Sequence, residues 1–231
     1  MHLSSTLPAA LLWDMDGTLV DTEAYWMAAE YALVESCGGQ WNHEHAMAVV
    51  GRALTGTAAY IIEHGQVPLS VDEVVDRLLV LVGRQLREHV PWRPGALELL
   101  TAARDAGVPS ALVTMSYRSL TDLLLEAAPN GLFTVVVAGD DVTHGKPDPE
   151  PYLLAAERLS VAPGDCIAVE DSVFGAQSAT AAGVPTIIVP NVKPVAPMAG
   201  SVQIPTLAGL GLADLVGATA PLLDGTASIG E

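Results

Sequence analysis

The sequence predicts an α/β protein in which a parallel-sheet, Rossmann-like core carries an inserted helical cap subdomain. Short apolar runs alternate with amphipathic helical patterns, which is typical of a parallel sheet joined by crossover helices. One long helical stretch interrupts this alternation after the first run. Of the 231 residues, 50% are hydrophobic and 16% are charged, so the chain can build a sizeable core and is not disordered as a whole.

Five short apolar runs predict the strands of the sheet. Each run has β-branched or small residues and ends at a polar or turn residue, as buried strands do. They cover residues 9–13, 110–114, 135–138, 166–169 and 186–189. Helical patterns lie at residues 94–107, 118–128, 150–159 and 173–182. Because crossover connections are right-handed, these helices cover both faces of the sheet, and a ligand site is expected beyond the carboxyl ends of the strands.

The segment from residue 23 to residue 90 is predicted to be a separate helical cap over that end of the sheet. Its helical patterns cover residues 24–36, 43–50, 55–63 and 71–88. The α/β core is then formed by residues 1–22 and 91–215. The last residues, 216–231, follow a stretch rich in Pro, Gly and Ala and are expected to be a mobile tail.

The charge balance limits the partners of the protein. Lys and Arg number 10 and Asp and Glu 27, giving a net charge of −17. Such a field repels nucleic acid and anionic membrane surfaces, so neither is expected as a partner. The N-terminus does not resemble a signal peptide, and no apolar stretch is long enough to span a membrane. There are only two cysteines, far apart in the sequence, so a reducing cytoplasm is the expected location.

Acidic residues cluster where two of the predicted strands end. Asp14 and Asp16 follow the first strand, and Glu170 and Asp171 follow the fourth. The carboxyl ends of parallel strands share one edge of the sheet, so these four side chains should converge. Carboxylates in such a cluster repel one another, and a hard divalent cation relieves that repulsion. The sequence therefore predicts a Mg²⁺ site.

The spacing of Asp14 and Asp16 suits covalent catalysis. At the end of a strand the chain turns, and Gly17 permits the turn. Both carboxylates can then face one reacting atom from different sides. One can attack as a nucleophile while the other acts as an acid and a base.

At this point the motifs resemble those of a known family. The segment Asp14-Met-Asp-Gly-Thr18 is similar to the first motif of the haloacid dehalogenase superfamily in its phosphotransferase form. Thr114, Lys146 and the Glu170-Asp171 pair match the later motifs, in the same order, between residues 9 and 190. The branch with a small helical cap, which contains beta-phosphoglucomutase and sugar-phosphate phosphatases, is the most similar. Because this branch is often monomeric, the resemblance implies a monomer.

This resemblance implies a role for each motif residue. Asp14 would attack phosphorus to form an aspartyl-phosphate, and Asp16 would protonate the leaving oxygen and then deprotonate water. Mg²⁺ would be held by Asp14, the backbone carbonyl of Asp16 and Asp171, with Glu170 nearby or acting through water. Thr114 would be catalytic and hold the phosphoryl group.

Further residues complete the expected site. The resemblance implies that Lys146 neutralises charge on the phosphate and the nucleophile. The Met115 backbone N–H is expected to bind the phosphoryl group, and Ser116 beside it is a second substrate-binding candidate. In the cap, Arg52 can reach a substrate phosphate or hydroxyl but could equally be a surface arginine. Trp26 follows the first strand on the segment that faces the site in relatives.

The expected function is Mg²⁺-dependent hydrolysis of a small phosphate monoester, most simply a sugar phosphate, through an aspartyl-phosphate. The alternative is a beta-phosphoglucomutase-like phosphomutase. Those mutases usually carry a histidine four residues after the Asp-Thr pair, where this chain has Trp26. A dehalogenase typically lacks the second aspartate, and a silent phosphosugar-binding module tends to lose the nucleophile or the acid, so both are disfavoured by Asp14 and Asp16.

Overall fold

A computed structural model describes residues 7–223. Within them, six parallel strands form one sheet in the order β3-β2-β1-β4-β5-β6. This is the Rossmann order, so the predicted fold class is confirmed. The strands are β1 (Ala10–Trp13), β2 (Ser110–Val113), β3 (Val135–Val137), β4 (Cys166–Glu170), β5 (Thr186–Ile188) and β6 (Ser201–Gln203).

The helices follow the predicted alternation closely. They are α1 (Glu23–Ser36), α2 (His43–Val49), α3 (Leu54–Gly65), α4 (Val71–Glu88), α5 (Ala96–Asp105), α6 (Arg118–Ala127), α7 (Glu150–Leu159), α8 (Val173–Ala181) and α9 (Leu212–Leu223). Helices α4 and α7 have the bounds predicted from the sequence. Helix α4 begins with a capping box between Ser70 and Glu73. Among the described residues, no helix is both long and apolar enough to cross a membrane.

Helix α9 corrects the expectation of a mobile tail beginning at residue 216. Residues 216–223 continue this helix, which packs against β5, β6 and α5. Leu215 and Thr219 are both 1% exposed, so burial stabilises the helix although it contains Gly217 and Pro221. Residues 224–231, the rest of the expected tail, lie outside the described residues.

Successive strand residues point to opposite faces of the sheet and build two apolar clusters. Leu11 and Trp13 of β1 belong to the larger cluster, whereas Ala10 and Leu12 belong to a smaller one formed with α7 and α8. The larger cluster also contains buried side chains of α1, α3 and α4, which pack on one another and on α6. The four helices between β1 and α5 therefore share an apolar core with the sheet and do not have one of their own.

Candidate active site

The carboxylate of Asp14 lies at the centre of the site. Its backbone N–H donates to the Val169 carbonyl at 3.0 Å, which fixes the residue between β1 and β4. Lys146 Nζ donates to Asp14 Oδ1 at 2.7 Å, and the lysine side chain is only 5% exposed. Oδ2 of Asp14 is buried and has no hydrogen-bond partner. This oxygen therefore keeps its capacity to interact with a further group.

Lys146 joins Asp14 to a second buried carboxylate. Its Nζ also donates to Glu170 Oε1 at 2.6 Å and to the Val113 carbonyl at 2.9 Å. Burial favours the neutral amine, but the charges of Asp14 and Glu170 outweigh it and raise the pKa of Lys146. The ammonium group therefore stays charged at any physiological pH.

Glu170 is held by hydrogen bonds to both of its oxygens. The Tyr152 hydroxyl donates to Oε1 at 2.7 Å, and the Ser172 hydroxyl donates to Oε2 at 3.2 Å. Glu170 is the last residue of β4 and is fully buried against α8, where a Cβ on Gly175 would lie 1.9 Å from Oε1. A glycine is thus required for α8 to approach the carboxylate this closely. This packing and the two hydrogen bonds fix the position of the Glu170 carboxylate.

Three carboxylates converge on one point. Oxygen atoms of Asp14, Glu170 and Asp171 all lie within 4.8 Å of one another. Burial, followed by the charge of Glu170, raises the pKa of Asp14 to about 7, and burial together with Asp14 raises the pKa of Asp171 well above its usual value. One lysine ammonium is insufficient for three carboxylates. The convergence of three carboxylates and their excess of negative charge fit a hard divalent cation.

Gly17 shapes the turn that brings β1 to this cluster. It has a positive φ of +84°, and a Cβ there would lie 2.1 Å from Asp171 Oδ2. Arg93, which follows the cap in the chain, hydrogen-bonds the Gly17 carbonyl. Only glycine allows both the backbone conformation and the close approach of Asp171.

The carboxylate of Asp16 points away from the cluster and toward the cap. Ser116 Oγ donates to its Oδ2 at 2.7 Å. Trp26 Nε1 donates to Oδ1 at 3.1 Å, as does Thr22 Oγ1 at 2.5 Å. The side chain of Asp16 is therefore not part of the group of three, which leaves its backbone carbonyl for any metal contact.

The residues after β2 border the same space. Thr114 is 1% exposed, and its hydroxyl accepts from Ser116 N at 3.0 Å and donates to Asp16 Oδ2 at 3.4 Å. The backbone N–H of Lys146 donates to the Met115 sulfur at 3.2 Å. All five of these residues line one cavity, together with Asp14 and Asp171.

That cavity, of about 430 Å³, lies between the sheet and the cap. Trp26, Glu23 and Glu30 line it from α1, and Arg52 from the loop before α3. Val173 and Phe174 at the start of α8 line it from the core and are partly exposed. Every residue singled out in the sequence except Glu170 thus borders the cavity.

Two basic residues at the cavity have partners already. Arg52 donates from Nε to the Ala48 carbonyl at 2.9 Å, and its guanidinium lies 5.0 Å from the centre of the Tyr60 ring. Exposed Lys193, the second lysine of the chain, donates to the Val50 carbonyl at 3.0 Å. Both hydrogen-bond backbone carbonyls at the C-terminal end of α2, and neither forms an ion pair with Asp14.

Sequence reasoning missed several residues of the site. Tyr152 gave no signal, because an aromatic residue in a predicted helix usually belongs to the core. Glu23 and Glu30 were absent from the expected set, although Glu30 lies among the buried residues Ala29, Leu33 and Val34. A carboxylate on the apolar face of a helix is the one sequence signal that could have identified Glu30.

Comparison with known proteins agrees with this geometry. A model of the family described as haloacid dehalogenase-like hydrolase matches residues 11–189. The Escherichia coli fructose-1-phosphate phosphatase YqaB is 34% identical over 182 residues, which cover 78% of this chain and 95% of that protein. The Arabidopsis thaliana bifunctional riboflavin kinase/FMN phosphatase is 33% identical over 187 residues, 80% of this chain. That match spans only 49% of the plant protein.

A solved structure matches over nearly its whole length. The crystal structure of CbbY from Rhodobacter sphaeroides in complex with phosphate aligns with a TM-score of 0.83 at 28% sequence identity. The alignment covers 90% of this chain and 99% of that one. The likeness extends through both the sheet and the helical cap.

Proposed function

The chain belongs to the haloacid dehalogenase-like hydrolase family and is a phosphatase of that family, and on this basis we propose that it hydrolyses small sugar-phosphate monoesters. We further propose that the reaction needs Mg²⁺ and passes through an aspartyl-phosphate on Asp14. The observation that carries the proposal is the position of Asp14. Its buried Oδ2 has no partner, while Lys146 holds its other oxygen at the floor of the cavity.

Asp14 is the proposed nucleophile. Lys146 fixes the orientation of its carboxylate through Oδ1, which leaves Oδ2 to attack phosphorus. Glu170 and Tyr152 in turn fix Lys146, so the ammonium group is held where charge develops on the phosphoryl oxygens. Phosphoryl transfer depends mainly on such positioning and on charge stabilisation.

Asp16 is the proposed acid and base. Its carboxylate lies between Ser116 and Trp26 and lines the cavity, on the side from which the alcohol would leave. It would protonate the leaving oxygen and then take a proton from the water that attacks phospho-Asp14. Thr114 and the backbone N–H of Met115 would bind the transferring group.

Asp14, Asp171 and the Asp16 carbonyl would hold Mg²⁺, with Glu170 held back by its own hydrogen bonds. A divalent ion bound there would supply positive charge to the phosphoryl oxygens and lower the pKa of Asp14. The carboxylate of Asp14 would then be ionised at neutral pH. The high pKa of the metal-free residue supports this assignment.

A sugar phosphate is the proposed substrate class. A cavity of about 430 Å³ is large enough for such an ester, and the name of the Escherichia coli relative, fructose-1-phosphate phosphatase, points the same way. Trp26 stands where beta-phosphoglucomutases usually have histidine. Its N–H donates to the proposed acid–base residue but cannot take a proton from a sugar hydroxyl, which favours hydrolysis over the mutase reaction.

The test is release of inorganic phosphate from a panel of sugar monophosphates, with Mg²⁺ and with a chelator. We expect turnover only with the metal, and none from Asp14→Asn, because an amide is a poor nucleophile. The parent incubated with one turnover of substrate and quenched in acid should carry phosphate on Asp14 by mass spectrometry. Turnover by Asp14→Asn would refute the assignment, and faster isomerisation of beta-glucose 1-phosphate than hydrolysis, after priming with a sugar bisphosphate, would establish the mutase.

A further inference from the structure

Glu30 occupies an unusual position for a carboxylate. It lies on α1 one turn beyond Trp26 and two turns beyond Glu23, and all three side chains line the cavity. Only 4% of Glu30 is exposed. The helix face that carries Glu30 therefore faces the ligand space and not bulk water.

The hydrogen bonds of Glu30 are incomplete. Trp41 Nε1 donates to its Oε2 at 3.3 Å, and the Trp41 ring stacks on His45 with the ring centres 5.0 Å apart. Among residues 7–223, no donor reaches Oε1, and no basic side chain pairs with the carboxylate. Oε1 is not closed off from the cavity that Glu30 lines, so it retains binding capacity for a group that enters.

The surroundings of Glu30 suit a neutral hydrogen-bonding partner. From the cap, the apolar residues Val49, Ala53 and Leu54 line the same cavity, as does Thr57, a second buried polar residue. Burial raises the pKa of Glu30 to about 8, with a smaller contribution from Glu23, against the opposing effect of the Trp41 hydrogen bond. The protonated carboxyl both donates and accepts, as a hydroxyl does.

We propose that Glu30 is a specificity-determining residue that hydrogen-bonds a hydroxyl group on the alcohol portion of the phosphate ester. This inference rests on the proposed function, since it places the phosphoryl group at Asp14 and the alcohol toward the cap. A site built to bind a hydroxyl rejects the analogue that lacks it, because its own buried polar group is then left unpaired. The enzyme should therefore favour polyhydroxylated esters over alkyl esters of equal length.

The experiment compares kcat/KM for a hexitol 6-phosphate with that for hexyl phosphate. In Glu30→Leu we expect the ratio to fall by at least about tenfold, mainly through a higher KM for the hexitol ester. In Glu30→Gln, whose amide also donates and accepts, the ratio should remain close to that of the parent. Glu35→Gln, on the exposed side of the same helix, is the control for a general effect of a substitution in α1.

Other results would contradict either the role of Glu30 or the proposed function. An unchanged ratio in Glu30→Leu would overturn the proposal. If the ratio were unchanged because kcat/KM fell equally for both esters, Glu30 would have a structural role only. If Glu30→Leu does not fold, Trp41→Phe provides the test, because it removes the donor that orients Glu30 without touching the cavity wall. The ratio must then fall, and a parental ratio would overturn the proposal. Absence of hydrolysis of any ester by the parent, p-nitrophenyl phosphate included, would instead count against the proposed function.

Discussion

The ammonium group of Lys146 lies 2.7 Å from the carboxylate of Asp14, and both side chains are less than 10% exposed. A pair buried to this degree is sensitive to the loss of either partner. Removing one charge leaves the other without compensation in a medium of low polarity, which costs about 3–5 kcal/mol in comparable cases. The contact thus contributes to stability as well as to the proposed chemistry.

Lys146→Met should therefore lower both activity and stability. Without the ammonium group, the charge that lowers the pKa of Asp14 is lost while the repulsion from Glu170 remains, so less of the nucleophile is ionised at neutral pH. We expect kcat/KM to fall by about 10²–10³-fold and the melting temperature to fall by several degrees. Lys193→Met, at the exposed lysine, should leave the melting temperature near the parental value. A fully active Lys146→Met variant would disprove the role of Lys146.

Asp171→Asn should weaken the response to Mg²⁺. An amide oxygen is a poorer ligand than a carboxylate, so the Mg²⁺ concentration for half-maximal activity should rise by at least about tenfold. The rise in melting temperature on adding Mg²⁺ should shrink as well, which provides a readout independent of turnover. Asp122→Asn, at an exposed position of α6, serves as the matched control. Unchanged metal dependence would mean that the metal site lies elsewhere.

The position of Asp171 could be predicted because the physics that fixes it is local. Strands β1 to β5 all form from short apolar runs, and the residues that follow these runs lie at one common edge of the sheet. Asp14 and Asp171 could therefore be brought together from sequence alone, although 157 positions separate them. Lys146 was assigned by its motif, since nothing local shows that a loop lysine reaches back to Asp14.

Elements that depend on tertiary contacts escaped prediction. Strand β6 has only three residues, Ser201–Gln203, with no apolar run, and it forms because its backbone pairs with β5. Helix α9 has weak helical propensity at Gly217 and Pro221 and depends on the burial of Leu215. Similarly, the spacing of Glu30 with Leu33 and Val34 could indicate that it is buried, but its place in the cavity depends on how α1 packs over the sheet.

The pH dependence of stability should report on Glu30. Its pKa is near 4.5 when unfolded and about 8 in the folded protein, so between these values the folded state holds a proton that the unfolded state has lost. Stability from this group is complete below about pH 4.5 and is lost as the pH rises through 8, with a slope of at most about 1.4 kcal/mol per pH unit. Glu30→Gln removes this titration.

Measured by urea unfolding between pH 5.5 and 9, the free energy of unfolding of the parent should therefore fall relative to that of Glu30→Gln as the pH rises. Asp14 and Glu23, whose raised pKa values act in the same direction, remain in both proteins and cancel in the difference. Parallel curves for the parent and Glu30→Gln would show that the Glu30 pKa is not raised.

The two proposed tasks of Asp16 make different demands and can be separated with Asp16→Asn. Protonation of the leaving oxygen matters most when the alkoxide is basic, as in an alkyl ester. Deprotonation of water is needed to break down phospho-Asp14 whatever the substrate. The variant should thus react once with an aryl phosphate, whose leaving group needs little protonation, and then stall. General acid–base catalysis contributes about 10²–10⁴-fold per step, so the loss should be obvious.

The expected observation is a burst of aryl alcohol close to one equivalent per active site, followed by slow turnover. Phosphate should be trapped on Asp14 by acid quenching during the slow phase. Ser116→Ala, which removes one hydrogen bond to the Asp16 carboxylate but leaves the carboxylate in place, should show no such burst because water attack retains its base. If Asp16→Asn hydrolysed alkyl phosphates at the parental rate, Asp16 would be neither acid nor base, and its carboxylate would serve only to position Thr22, Trp26 and Ser116 around the cavity.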